Sequence, residues 1–413
     1  MPSPPSVLTI SSLPNELLEA IAAAGQQARF PHLQLVFKSE WTLSHVSRRF
    51  RDVIIGAPAL WTLIEANLDT AGSAEILGLY LARSNTRDIS VSLESYWGST
   101  VDDTERHLTV ERLSQIVPHI SRIWRLSCTV SMEVLAPLRH VRAPILQQLG
   151  IVRNYVDDHS TRWDSIELLS AGAPELTFLK MDGCKPKIPA PSWTASLTHL
   201  EFWDGQDSAE EDATPILAAI TEQCSFLTHV YLDINWMDPT GHRLHIPSLK
   251  TLHISISECE EEDYLLGIVD LLETPALTKL IIDNARCDQV SALFNATSLP
   301  RASFPAMTSL SLVNGGPCPC EAEYPFSDLI SFPPAGFFPA LSSLALINQC
   351  LATTLVQNIL RQDATHPWPQ LKTVTLCPQG TFLADVAAAL RDGMHSNLQR
   401  SHTLPKSLLR SFL

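Results

Sequence analysis

No uninterrupted apolar run of roughly 18 residues occurs in this 413-residue sequence, so no membrane-spanning helix is expected. The opening residues, MPSPPSVLTI, carry neither a basic flank nor a long apolar stretch. No secretory leader is expected there, and the reading places the protein in the cytoplasm, the nucleus or both. Basic residues are outnumbered: 29 Lys and Arg stand against 44 Asp and Glu, for a net charge of −15. Such an excess disfavours binding to nucleic acid or to anionic lipid, so neither is expected as a partner. The nine cysteines form no spaced framework and lie singly, apart from Cys318-Pro319-Cys320. Reduced thiols are therefore expected, most of them as small buried apolar groups.

Catalytic signatures are missing as well. There is no nucleophile elbow, phosphate-binding loop, dinucleotide fingerprint or H-E-x-x-H pair. The expectation is a protein without an active site or cofactor. His242, His245 and His253, with His199 and His229 nearby by position, invite a metal reading. A metal needs convergent ligands with supporting partners, whereas these residues recur as any polar strand residue could. No metal is expected. The acidic runs 207–212 and 258–263 are expected to be solvated turns or helix starts.

What is present begins at Leu13. Leu13, Leu17, Leu18 and Ile21 recur at helical spacing behind Pro14, which suits a first helical turn, and Glu16 and Glu19 complement the helix start. Leu43, Val46, Phe50, Val53 and Ile54 mark the apolar face of a second helix, stopped by Gly56 and Pro58. A third short helical segment carries Leu60, Trp61 and Ile64. Three short helices bury little surface alone, so part of this apolar area is expected to meet another surface. A further helix is expected over 74–83, a half-buried strand at Ile89, Val91 and Leu93, and a loop over 95–107.

From residue 120 the chain repeats. PELTFLKMD, ASLTHLEFW, SFLTHVYLD, PSLKTLHIS, PALTKLIID, PAMTSLSLV, PALSSLALI and PQLKTVTLC share the pattern Pro-x-Leu-x-x-Leu-x-Leu. With PILQQLGIV, their first Leu-type positions are 146, 176, 197, 227, 249, 277, 307, 341 and 371. ISRIWRLSCT at 120–129 is a weaker member. Helix-like segments fall between: 165–174, 215–224, 264–274, 289–295 and 355–362. Each unit is expected to be one strand plus one helix, with a last helix near 381–394.

Two resemblances follow. Leu13-Pro14-x-Glu16-Leu17-Leu18-x-x-Ile21, then Leu43-x-x-Val46-Ser47-Arg48-Arg49-Phe50-Arg51, then Pro58-x-Leu60-Trp61, resemble the F-box of the large families of mushroom-forming fungi. The likeness extends to about residue 95, since a helix ending in Arg-Ser followed by a short strand recurs behind that motif. Ser47 and Phe50 stand where the family often has Cys and Trp, and the separation of Ile21 from Leu43 is longer. The repeat resembles the L-x-x-L-x-L core of leucine-rich repeats, in a degenerate form. Cys184 and Asn235 fit the Asn/Cys position after that core; Gly205, Gly315 and Gln379 depart from it.

The expected fold is α/β. It comprises a three-helix F-box-like module at 8–65, a connecting helix and strand at 66–118, an irregular leucine-rich-repeat solenoid at 119–393 and a tail at 394–413. The F-box resemblance implies docking of the Skp adaptor and, through it, a cullin scaffold. The residues implied are Leu13, Pro14, Leu17, Leu18, Ile21, Leu43, Val46, Phe50, Leu60 and Trp61, some of which must instead hold the helices together. Along each strand, the residues between the buried leucines are expected on the concave face. That places Phe178, Lys180, Asp182, His199, Glu201, Trp203, His229, Tyr231, Asp233, Thr251, His253 and Ser255 together, a set rich enough in aromatic and charged groups to bind a target protein. The later strands offer only small residues there. The function implied is a substrate-recognition subunit of a cullin-based ubiquitin ligase. The alternative is a repeat scaffold or binding protein whose N-terminal helices merely cap it.

Overall fold

The computed structural model describes residue 10 and residues 13–27, 38–70, 72–95, 103–153, 165–186, 194–203, 214–233, 243–256, 261–295, 304–314, 338–347 and 368–377. The chain divides into two compact units. One comprises Met1–His159 with Glu167–Leu176, the other Ser160–Ile166 with Thr177–Leu413. Both are α/β, and the strand pairings among the described residues are parallel.

The first unit opens with helices α1 (Asn15–Gln27), α2 (Ser39–Ser44) and α3 (Arg48–Ile55). Leu18 and Ala22 lie four residues apart on α1 and are fully buried, as one face of a helix requires. Leu18, Phe50 and Val53 form the core, with Leu13 and Leu43 half-buried against it. The apolar face read as one helix from Leu43 to Ile54 is two helices. The Ser47 hydroxyl accepts the Phe50 amide at 3.2 Å, an N-cap that starts α3 afresh. A 3-10 turn, Pro58–Trp61, follows. The expected third helical segment ends there, because Ile64 belongs to strand β1 (Leu63–Asn67).

Then come α4 (Ser73–Arg83), β2 (Ile89–Glu94), α5 (Asp103–Ser114), β3 (Ile123–Val130) and β4 (Gln148–Arg153). The four strands pair in sequence order. The expected loop over 95–107 is corrected in part, since α5 begins at Asp103. The helix expected over 165–174 does not form. Ser165–Ile166 is a short bridge, and Leu169 takes a positive φ of 50°, incompatible with a helix interior.

The second unit carries β5 (Phe178–Asp182), β6 (His199–Trp203), β7 (His229–Asp233), β8 (Thr251–Ser255), β9 (Lys279–Asp283), β10 (Ser309–Val313), β11 (Ser343–Ile347) and β12 (Thr373–Cys377). Their registers are in step, so each position has one counterpart on every neighbour. Leu197, Leu227, Leu249, Leu277, Met307 and Leu341, each two residues before its strand, are fully buried, as are Leu200, Leu252, Leu280, Leu310 and Leu344 within the strands or within one per cent of it. Helices α6 (Thr214–Gln223), α7 (Tyr264–Leu271) and α8 (Cys287–Asn295) stand where the sequence places helices between strands.

One device was not anticipated. Thr198, Thr228, Thr278, Thr308 and Ser342 donate their hydroxyls to the backbone carbonyl of Thr177, Thr198, Lys250, Thr278 and Thr308, at 2.9–3.2 Å. Each hydroxyl ties its strand to the one before, and its signal was the recurring Thr or Ser after the first leucine. Residues 355–362 and 381–394, the acidic run 207–212, and His242, Asn235, Cys318 and Cys320 lie outside the described residues.

Candidate functional site

Two surfaces carry the residues singled out from sequence. On the N-terminal helices the ten candidates separate by burial. Leu18, Phe50, Leu60 and Trp61 are at most 3% exposed. They have no surface for a partner, and their assignment is corrected to the interior of the unit. Trp61 shows why: its Nε1 donates to the Ile54 carbonyl at 2.9 Å. The Arg83 guanidinium lies 4.3 Å above its ring, and Tyr80 meets it edge-on at 5.0 Å. Leu17, Ile21 and Val46 are 49%, 41% and 56% exposed. Pro14 is also exposed, and Leu13 and Leu43 are half-buried. Ile55, not singled out from sequence, is exposed at the end of α3. Exposed side chains of this size are apolar surface that the three helices leave uncovered.

The junction is held from below. Arg49 donates to the Leu13 carbonyl and, at 2.9 Å, to the Asn15 side chain, tying α3 to the start of α1. Glu40 is fully buried, accepting from the Gln26 amide at 3.0 Å and from the Tyr80 hydroxyl. Gln26 also reaches the Leu60 carbonyl at 2.7 Å. This polar network joins α1, α2, the 3-10 turn and α4. A lone Glu far from its partners in sequence gives no hint of it.

On the strand face of the second unit the register aligns the target candidates into three rows. The first runs Phe178, His199, His229, Thr251, Lys279; the second Lys180, Glu201, Tyr231, His253, Ile281; the third Asp182, Trp203, Asp233, Ser255, Asp283. The side chains interlock across rows. His199 and His229 stack at 4.2 Å with their rings 4° from parallel. Trp203 stacks on Tyr231 at 4.9 Å, and Tyr231 meets His253 edge-on at 4.5 Å. The Lys180 ammonium sits 4.7 Å above the Trp203 ring and 3.8 Å from the Glu201 carboxylate. His253 Nε2 faces Asp283 at 3.7 Å.

Electrostatics follow from that packing. Burial, aided by Asp233, pushes the Tyr231 phenol up to about 12, so it stays protonated and can donate. Burial holds His253 below the ordinary histidine value, against the pull of Asp283. His199 is lowered by burial and by its neighbour His229. Both rings are neutral near pH 7. Asp283 is a member of this surface that sequence reasoning missed, since the proposed surface ended at Ser255, one strand short of it. Beyond it the first two rows turn small, to Ser309, Ser311, Ser343 and Ala345, while the third turns apolar at Val313 and Ile347.

The arrangement brings aromatic, charged and hydroxyl groups together on one face. Aromatic faces and neutral donors lie beside carboxylates, and the hydroxyls of Thr198 and Thr228 meet the Nδ1 atoms of His199 and His229 at 2.8 and 2.9 Å. Among the described residues, no three His, Cys, Asp or Glu side chains converge as a metal site would require. No described helix is long and apolar enough to cross a membrane. Compared with known proteins, the sequence matches no family model and no curated protein.

Proposed function

We propose that this chain is the substrate-recognition subunit of a cullin-based, SCF-type ubiquitin ligase. Its N-terminal helices act as an F-box that docks the Skp adaptor, and the strand face of its leucine-rich repeats holds a target protein. It performs no chemistry of its own and works in the cytoplasm or nucleus. Holding the target near a ubiquitin-conjugating enzyme raises the effective concentration at the acceptor lysine.

The observation that carries this reading is the exposure of Leu17, Ile21 and Val46 over a core that is complete without them. Covering a large aliphatic side chain stabilises by about 1.5–3 kcal/mol, so three of them left bare on short helices favour a second protein there. They fall at three of the positions the F-box resemblance implies for the adaptor.

The test is a pull-down with purified Skp adaptor. Binding at one-to-one stoichiometry, lost in a folded Leu17→Asp, Val46→Asp double variant, is the expected outcome. A wild-type chain that fails to bind the adaptor, or binding that survives both aspartates, refutes the docking reading and leaves a repeat scaffold.

A further inference from the structure

We infer that the third row of the strand face recognises an extended protein segment rich in arginine or lysine. This names the chemistry of the target, and it rests on the ubiquitin-ligase reading only in taking that target for a ligase substrate. The row is Asp182, Trp203, Asp233, Ser255 and Asp283, one residue from each of β5 to β9. Its three carboxylates come from alternate strands, and the row holds no cation. The face is polarised along the strands. The first row, Phe178, His199, His229, Thr251 and Lys279, has no carboxylate, and in the second Glu201 already has Lys180 beside it at 3.8 Å. Negative charge therefore gathers where β5, β7 and β9 end. The sequence adds to it, since β6 and β8 run on into segments, 204–213 and 258–263, with acidic residues and no Lys or Arg.

The chain's own Lys180 shows how a cation is seated on this face. Its ammonium lies 4.7 Å above the Trp203 ring with the Glu201 carboxylate 3.8 Å away. Trp203 stands between Asp182 and Asp233 in the row and stacks on Tyr231 at 4.9 Å. A guanidinium arriving there can lie on an aromatic face while its edge donates to a carboxylate. Asp283 faces the His253 ring at 3.7 Å and accepts from the Asn314 amide at 3.2 Å. Both of those partners are neutral near pH 7, so the negative charge of Asp283 stays. Its field reaches the neighbours: Asp233, Asp283 and Glu201 all add to the upward push on the Tyr231 phenol, and Asp283 and Asp233 pull His253 upward against its burial. The three carboxylates are half-buried, so a cation among them is drawn more strongly than one beside a fully hydrated carboxylate.

The spacing says what shape the partner has. Neighbouring strands lie about 4.8 Å apart, so carboxylates on alternate strands are about 10 Å apart. That is too wide for one ion to bridge, and close to three residues of extended chain at about 3.3 Å each. A segment crossing the strands with a basic residue at every third position brings one cation to each carboxylate.

Fluorescence anisotropy of the full chain with a labelled peptide of repeating Arg-Gly-Ser tests it, against peptides of repeating Gln-Gly-Ser and Glu-Gly-Ser. The arginine peptide is expected to bind and the other two are not. Raising the ionic strength from about 0.05 to about 0.5 M should weaken binding at least tenfold. The Asp182→Asn, Asp233→Asn, Asp283→Asn triple variant should do the same. A second triple variant, Glu111→Gln, Glu133→Gln, Glu175→Gln, removes the same charge from exposed positions of the first unit and should leave affinity within twofold. Where circular dichroism shows the aspartate triple variant unfolded, Asp182→Asn and Asp233→Asn singly should each weaken binding several-fold. No binding of the arginine peptide by the wild type, equal binding of the glutamine peptide, equal loss in the two triple variants, or single variants that bind as the wild type does overturns the proposal. A wild type that binds the adaptor and not the peptide ends this inference alone; one that binds the peptide and not the adaptor ends the ligase reading alone.

Discussion

The exposed helical surface of the first unit and the strand face of the second are both candidates for binding, yet they are built on opposite principles. On the helices, Leu17, Ile21 and Val46 stand over a closed core and are each more than two-fifths exposed. Nothing about that surface is satisfied from within the helices. On the strands, the aromatic and charged groups are mostly half-buried and already engaged with each other. The first surface gains by being covered. The second is pre-ordered, so a partner that meets it loses little side-chain freedom in doing so. Affinity is cheap at the first and specificity at the second.

The sharpest way to break that contrast is to confuse buried with exposed apolar groups on the helices. Trp61→Ala removes a fully buried tryptophan together with its hydrogen bond to Ile54. A loss of about 3–5 kcal/mol is expected, and thermal denaturation measures it. Leu17→Asp with Val46→Asp should leave the melting temperature almost unchanged, within about 0.5 kcal/mol per site. Adaptor affinity in that variant should fall by at least two orders of magnitude, on the order of 3 kcal/mol. A double variant that unfolds instead would show that these side chains serve the core.

On the strand face the effect sought is smaller and lies in binding more than in folding. Removing Trp203 takes away a stack on Tyr231 and the seat of Lys180. The aromatic pair is worth about 0.5–1.5 kcal/mol beyond its buried area, so Trp203→Ala should destabilise modestly. Combined with Tyr231→Ala it should abolish capture of the target. Alanine at Ser311 and Ser343, on the same ladder further along, should leave capture intact. Equal effects in both places would dissolve the distinction between the early and late strands.

How much of this was legible depends on the distance over which the information is carried. The period of two along a strand is local, so the leucine pattern located β5 to β12 and sorted their faces, while the short strands Lys185–Pro186, Leu244–His245 and Leu272–Glu273 escaped it. His199 with His229, and Lys180 with Glu201, follow from counting alone. Contacts that cross rows do not. Trp203 opposes Asp233 in register but stacks on Tyr231, because long side chains on a twisted sheet lean to diagonal neighbours. On the helices, periodicity could not sort core from surface. Leu17 and Leu18 are adjacent and equally apolar, and only the direction from which Phe50 and Val53 arrive decides that Leu18 is the one inside. The break at Ser47 was overridden by an apolar pattern that happened to keep helical spacing across it. Ile64 was assigned to a helix for the same reason, although β2 was waiting to pair with it.

The least of the expected effects concerns protons. His253 and His199 have folded-state values held below the ordinary 6.5, chiefly by burial. A histidine shifted this way is neutral in the folded protein while the unfolded chain takes up the proton. Its contribution to stability is fully present above pH 6.5 and declines as the pH falls from 6.5 through the folded-state value. Asp283 and Asp233 oppose the shift at His253 and Lys279 adds to it, whereas at His199 the neighbour His229 adds to it. The slope should therefore be gentle and unequal at the two sites. Melting temperature measured between pH 7.5 and 5 should fall for the wild type and fall less for a His199→Asn, His253→Asn variant. Carboxylate protonation is common to both proteins and cancels in the difference. A variant whose profile runs parallel to the wild type would mean that neither ring resists protonation in the folded protein, and that the strand face is less closely packed than the stacked and edge-on rings imply.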